Sequence, residues 1–138
     1  MARTKKSAET VTVDVADLIT GKLNELDGIE FARDAWQNEA PAQYGVTELA
    51  QEPNLIMADG KVIDEIYQMT VTLYVNGADD NWADAVREKT EELEAAYEWL
   101  DISFRMMQRI YLHDIGKVQW TFRLNFAGPL VRTLPAGS

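Results

Sequence analysis

Few side chains in this chain could do chemistry, and the first is His113, its single histidine. A base-and-nucleophile arrangement needs an imidazole beside an activated serine or threonine, with a carboxylate to orient the ring. Asp114 is the adjacent residue, but strand neighbours point to opposite faces, so the two side chains do not converge. A polar residue at a hairpin end accounts for His113 without any reaction. Metal binding by His113 with carboxylates stays open, although no ligand spacing supports it. Asp79, Asp80 and Asp84 invite a calcium-loop reading. The EF-hand alternation of acidic positions, central glycine and closing glutamate is missing, and helix capping explains Asp80 more simply. Glycines at 21, 28, 45, 60, 77 and 116 stand singly, so no loop cradles a phosphate. Trp36, Trp82, Trp99 and Trp120 could stack on bases, but the acidic balance opposes a single-strand binder.

That balance is a formal net charge of −10, which repels a nucleic-acid backbone. Arg3, Lys5 and Lys6 are too few to reverse it. The chain has 138 residues, enough for one domain with one sizeable core. It has no cysteine, which removes disulfides, thiol catalysis and cysteine-ligated zinc. No apolar run approaches the ~20 residues that span a bilayer. MARTKK is not followed by an apolar segment, so a secretory signal is not expected.

The elements that must position these residues follow from periodicity. Val15, Leu18, Ile19, Lys22, Leu23 and Leu26 trace a stripe that predicts a helix over residues 14–26, capped by Asp14 and stopped by Asp27-Gly28. IEFARDAW predicts a strand with Ile29, Phe31, Arg33 and Ala35 on one side, and residues 44–49 a short second strand beyond Pro41. In NLIMADGKVIDEIYQMTVTLYV, Asp59-Gly60 suits a tight hairpin turn. Ile63, Tyr67, Met69, Val71, Leu73 and Val75 are then expected on one buried face. Asp80 or Asn81 caps a second helix whose stripe runs through Trp82, Ala85, Val86, Leu93 and Leu100, with Glu88, Glu91, Glu92 and Glu94 on its outer face. A second hairpin turns around residues 114–117, and Val118, Trp120, Phe122, Leu124 and Phe126 alternate inward along its last strand. Met106-Met107 is a core or contact pair.

The expected fold is α+β: a mostly antiparallel sheet of four to six strands with two helices packed on one face. Residues 1–13 are expected as a flexible arm, 14–127 as the single domain, and 128–138 as an extended or disordered tail. The tail still carries Leu130, Val131 and Leu134, which suit packing on a neighbour.

Three segments together resemble the tail-terminator (tail completion) family of tailed bacteriophages. They are FARDAWQNEAPAQYGVTELA, then IMADGKVIDEIYQMTVTLYV before an acidic amphipathic helix, then RIYLHDIGKVQWTFRLNF. The resemblance runs from Val15 to Phe126 and is one of pattern, with the extension after Phe126 outside it. It implies a small subunit that assembles with itself as a ring, typically a hexamer, with no enzymatic activity and no cofactor. Such a ring caps the finished tail tube protein, stops its growth and presents a docking surface to a head-completion or neck protein. The implied location is the virion, with assembly in the host cytoplasm, no membrane, and DNA passing through the lumen without being gripped.

Ring closure needs one surface of each subunit to meet a different surface of the next. Trp36, Tyr44 and Tyr74 are candidate anchors of that interface, since hot spots favour aromatics. The loop from Gln37 through Asn38 and Glu39 to Gln43 is expected to meet another subunit or the tube. Other readings are a head-closure or connector protein, a monomeric phage-encoded binding module, and a small enzyme using His113.

Overall fold

The computed structural model describes residues 10–77 and 81–135. In chain order they form β1 (Thr10–Asp14), α1 (Val15–Leu23), β2 (Glu30–Arg33), β3 (Tyr44–Leu49), β4 (Asn54–Ala58), β5 (Lys61–Val75), α2 (Trp82–Ala96), β6 (Ile102–Leu112), β7 (Lys117–Ala127) and β8 (Val131–Pro135). This is an α+β fold. A six-stranded sheet has the order β2-β3-β5-β7-β6, with β4 pairing the start of β5, and β1 and β8 form a separate two-stranded ribbon. All pairs in the larger sheet are antiparallel except β2–β3. Among the described residues no helix is long and apolar enough to cross a membrane.

The core follows from the alternation. Met69, Val71, Leu73 and Val75 of β5 are fully buried, and so are Phe122 and Leu124 of β7 opposite them. Val15, Ala16, Ile19 and Leu23 of α1 and Val86 and Leu93 of α2 cover that face. Asp14 caps α1 by accepting from the Asp17 amide, and Asn81 caps α2 by accepting from the Asp84 amide. Asp80, the other capping candidate, and Asp79 lie outside the described residues. One polar contact crosses the core: the Thr20 hydroxyl donates to Ala16 O and lies 2.7 Å from that of Thr47, which is fully buried.

The structure corrects several expectations. α1 ends at Leu23, because the Asn24 side chain turns to β2, where it donates to Phe31 O and accepts from the Phe31 amide. β2 stops at Arg33 rather than Trp36: Asp34 has φ 67° and its amide donates to Thr47 O, so the chain leaves the strand. Residues 10–13 are not an arm, since they belong to β1 and pair with β8 in the register Thr10↔Pro135 to Asp14↔Val131. The tail is accordingly extended through Pro135, with Leu130 packed against the core. Ile63 is not on a buried face; it is 61% exposed.

Candidate subunit interface

The helix-free face of the sheet is built from the polar positions of the alternation: Gln68, Thr70, Thr72 and Tyr74 of β5, and Gln119, Thr121, Arg123 and Asn125 of β7. The structure brings three of the sequence-predicted interface residues together at one end of it. Tyr44 stands directly opposite Tyr74 across the β3–β5 pair, and their rings stack with centroids 4.9 Å apart. Trp36 meets Tyr44 edge-on at 6.3 Å, and its Nε1 donates to Gly45 O. All three are half-buried, so each spends part of its area on the others and leaves part exposed. Burial raises the Tyr74 phenol above its ordinary pKa, with Tyr44 and Glu48 adding to the effect, so Tyr74 stays uncharged at neutral pH.

The loop beside it is open at its tip and fixed at its base. Gln37, Asn38 and Glu39 are exposed. At the other end the Gln43 side chain donates to Gly28 O and accepts from the Asn76 amide. The Lys117 ammonium donates to Ala42 O and to Asn76 Oδ1. A shallow cleft of about 460 Å³ lies there, bounded by Ile29, Glu30, Pro41 and Gln43, and among the described residues Glu30 is the one ionisable group that lines it. Glu39 and its neighbours are therefore not gathered with Trp36, Tyr44 and Tyr74 into one packed patch; they flank it.

Two larger surfaces escaped the sequence reading. β7 ends opposite Ile66, so β5 residues Lys61–Glu65 pair with β4 alone. The resulting hairpin projects past the sheet by ~20 Å at the usual strand rise. Asp59 (φ 52°) and Gly60 (φ 76°) make its turn, where a positive backbone angle favours glycine. Along this arm Leu55, Ile56, Met57, Val62 and Ile63 are each 42–61% exposed. Leu55 and Ile56 are consecutive in a strand, so both faces of the hairpin are apolar. An isolated two-stranded hairpin is marginal in water, and this one has no covering layer among the described residues.

The second surface is the sheet edge. β2, at one end, has four residues; β6, at the other, has eleven and pairs only with β7. Short edges resist unwanted strand pairing, whereas long apolar ones invite it. On β6 Met106, Met107, Ile110 and Tyr111 are all exposed, and the register shift between Met106 and Gln108 makes Met107 an unpaired bulge residue. Met106-Met107 is thus exposed rather than core. The signal for the arm was present in the sequence as consecutive apolar residues, LIM and VI, where a half-buried strand alternates.

His113 sits in the turn between β6 and β7, exposed, with its ring edge-on to Tyr111 at 4.6 Å. Asp84, the described member of the aspartate trio, accepts from Asn81 and pairs with Arg87 at 3.1 Å in the first turn of α2. Among the described residues no three histidine or carboxylate side chains converge on a common point. No protein-family model matches this chain, and no curated protein matches it.

Proposed function

We propose that the chain is a structural subunit of a tailed-bacteriophage virion. It assembles with copies of itself into a ring, caps the tail tube, ends tube growth and offers the docking surface for the head or neck. It makes and breaks no bond. DNA passes through the ring, and the acidic net charge of −10 keeps phosphates from being held.

The observation that carries this reading is the arm, Asn54–Ile66, apolar on both faces and uncovered. A solitary domain gains nothing from it, while a subunit with a neighbour on either side does. The long apolar edge of β6 and the aromatic cluster of Trp36, Tyr44 and Tyr74 add contact area facing other directions. The pattern resemblance to tail terminators over Val15 to Phe126 supplies the setting.

Immunogold electron microscopy of purified phage particles tests it. The label is expected at the head-proximal end of the tail, and particles lacking the chain should carry tubes of uncontrolled length. Tails of normal length that fail to join heads would move the chain to head closure. Its absence from particles would overturn the reading. The loop is tested by Glu39→Lys, which should impair tail completion in a subunit that still folds; normal tails would remove the loop from the interface.

A further inference from the structure

The projecting arm and the long sheet edge are opposite in charge. β6 carries Arg105 and Arg109 and no acidic residue along its eleven positions. Residues 54–66 carry Asp59, Asp64 and Glu65 against the one cation Lys61. In a chain with a net charge of −10, a long strand without a carboxylate is a local inversion.

The register gives a second, independent observation. Arg105 stands directly opposite Arg123 across the β6–β7 pair, on the helix-free face. Cβ atoms in that relation lie about 4.5–5.5 Å apart, and like charges so placed disfavour the sheet. Among the described residues neither Arg105 nor Arg123 forms an ion pair with a carboxylate. Two adjacent arginines at an open apolar edge are half of a contact.

We infer that the other half is the arm of a second copy of this chain: the acidic hairpin of one subunit adds as a strand to the β6 edge of the next. Its carboxylates neutralise Arg105 and Arg123, and its two apolar faces cover the exposed residues of β6. Strand addition satisfies the unpaired backbone groups of the edge, and the alternating side chains supply the selectivity. The contact is heterologous, since each subunit gives an arm and receives one, and such contacts close into rings when the rotation permits. The inference deepens the ring reading and rests on it for its setting. DNA is the poorer occupant: two arginines neutralise about two phosphates, and the apolar residues around them would remain unexplained.

The absence of cysteine makes the test direct. Ile56→Cys on the arm and Met107→Cys on the edge are both at exposed positions, so neither disturbs the core. The full-length double variant, alone at rising concentration and in purified particles, is oxidised mildly and run on denaturing gels. Cross-linked dimers, trimers and higher rungs are expected from the double variant, and neither single variant should produce them. Asp64→Lys in that background should lower the cross-linked yield about tenfold at low salt, and adding Arg105→Glu should restore it. Particles that contain the chain but yield no arm-to-edge cross-link would overturn the inference and leave the ring reading standing. A chain absent from particles would overturn the ring reading, and the solution ladder would then decide the inference by itself. Cross-links from Ile56→Cys alone would mean arm-to-arm pairing and overturn it. So would retention of a duplex DNA fragment that Arg105→Glu abolishes with no ladder formed.

Discussion

Gly45→Ala offers the sharpest check on how the sheet edge bearing Trp36 and Tyr44 is held. Gly45 lies on β3 opposite Phe31 of β2 and opposite Leu73 of β5. A Cβ built there falls 2.3 Å from both Cδ2 and Cε2 of Phe31 and 3.1 Å from its Cγ. Carbon atoms rest at about 3.5–4.0 Å, so the ring must retreat by more than ~1 Å. Phe31 is 5% exposed and packed in the core, which leaves the ring little room. Overpacking of this kind costs about 1–3 kcal/mol. For a chain of this length that is a fall in Tm of about 4–12 °C. Phe31→Leu on its own should cost about 1–2 kcal/mol through lost ring burial. The double variant should recover at least ~0.5 kcal/mol relative to the sum, since the added methyl then fills the space of the missing ring. Denaturant unfolding of the four proteins gives the cycle. A native-like Gly45→Ala, or strictly additive costs, would refute the close approach of β2 to β3 as the reason for glycine.

The buried hydroxyl pair predicts an asymmetric result. Thr20 already donates to Ala16 O, so Thr47 donates to Thr20; Thr20→Val leaves the Thr47 hydroxyl without an acceptor and should cost about 1–3 kcal/mol, whereas adding Thr47→Val should return part of that loss. Between the helices, hydrogen bonding to the Lys22 ammonium holds the Glu92 carboxyl below its ordinary value, and hydrogen bonds from Glu92 and then Glu25 hold Lys22 above its own. A lowered acid stabilises above the ordinary 4.5 and loses that effect as pH falls through its folded value; a raised lysine stabilises below 10.5 and loses it as pH rises through its folded value. The Tm difference between native protein and Glu92→Gln should therefore be flat through neutral pH, shrink toward zero in acid, and fall with added salt. His113→Ala should leave tail assembly unchanged, and loss of assembly by a folded variant would return His113 to consideration as a reacting group.

What the sequence disclosed tracks where local pattern and burial coincide. β7 was legible residue by residue, because β5 and β6 flank it and the helices cover its inner face, so every alternate position had to be apolar. The two helices were legible from stripe and cap, but each is shorter at its C-terminal end than its stripe: α1 stops at Leu23, and α2 at Ala96, since Tyr97 is already extended and Leu100 lies beyond the helix. β2 was misread at its end, since the alternation of IEFARDAW continues into Ala35 and Trp36 while the left-handed backbone at Asp34 ends the strand. Its parallel pairing with β3 left no local trace at all. The ribbon of β1 and β8 joins residues from opposite ends of the chain, and a short Thr-Val alternation near a basic segment does not announce a distant partner. Ile63 was placed inside because the period of β5 runs unbroken past the point where β7 stops; no residue of β5 marks where its neighbour ends. Of the candidate interface, the aromatic cluster was visible as residue types, and the arm only as a breach of alternation.

That division has a physical consequence for assembly. The core that folds the subunit lies wholly on the helix-covered face, and the arm and β6 edge contribute little to it. Five arm side chains at 42–61% exposure each gain roughly 1 kcal/mol from full burial, so about 5 kcal/mol in all. Bringing two proteins together costs about 4–15 kcal/mol in lost freedom. The single arm-to-edge contact proposed above therefore sits near balance, with charge pairing at Arg105 and Arg123 as the deciding contribution. A closed ring of n subunits makes n such contacts for n − 1 losses of freedom, because the closing subunit makes two at once. Rings are then favoured over dimers, and a surface that orients several subunits together, such as the end of a tube, favours them further. On the proposed reading, a subunit held by such contacts stays dispersed at low concentration and assembles where a template collects it, which is the behaviour a tube cap requires.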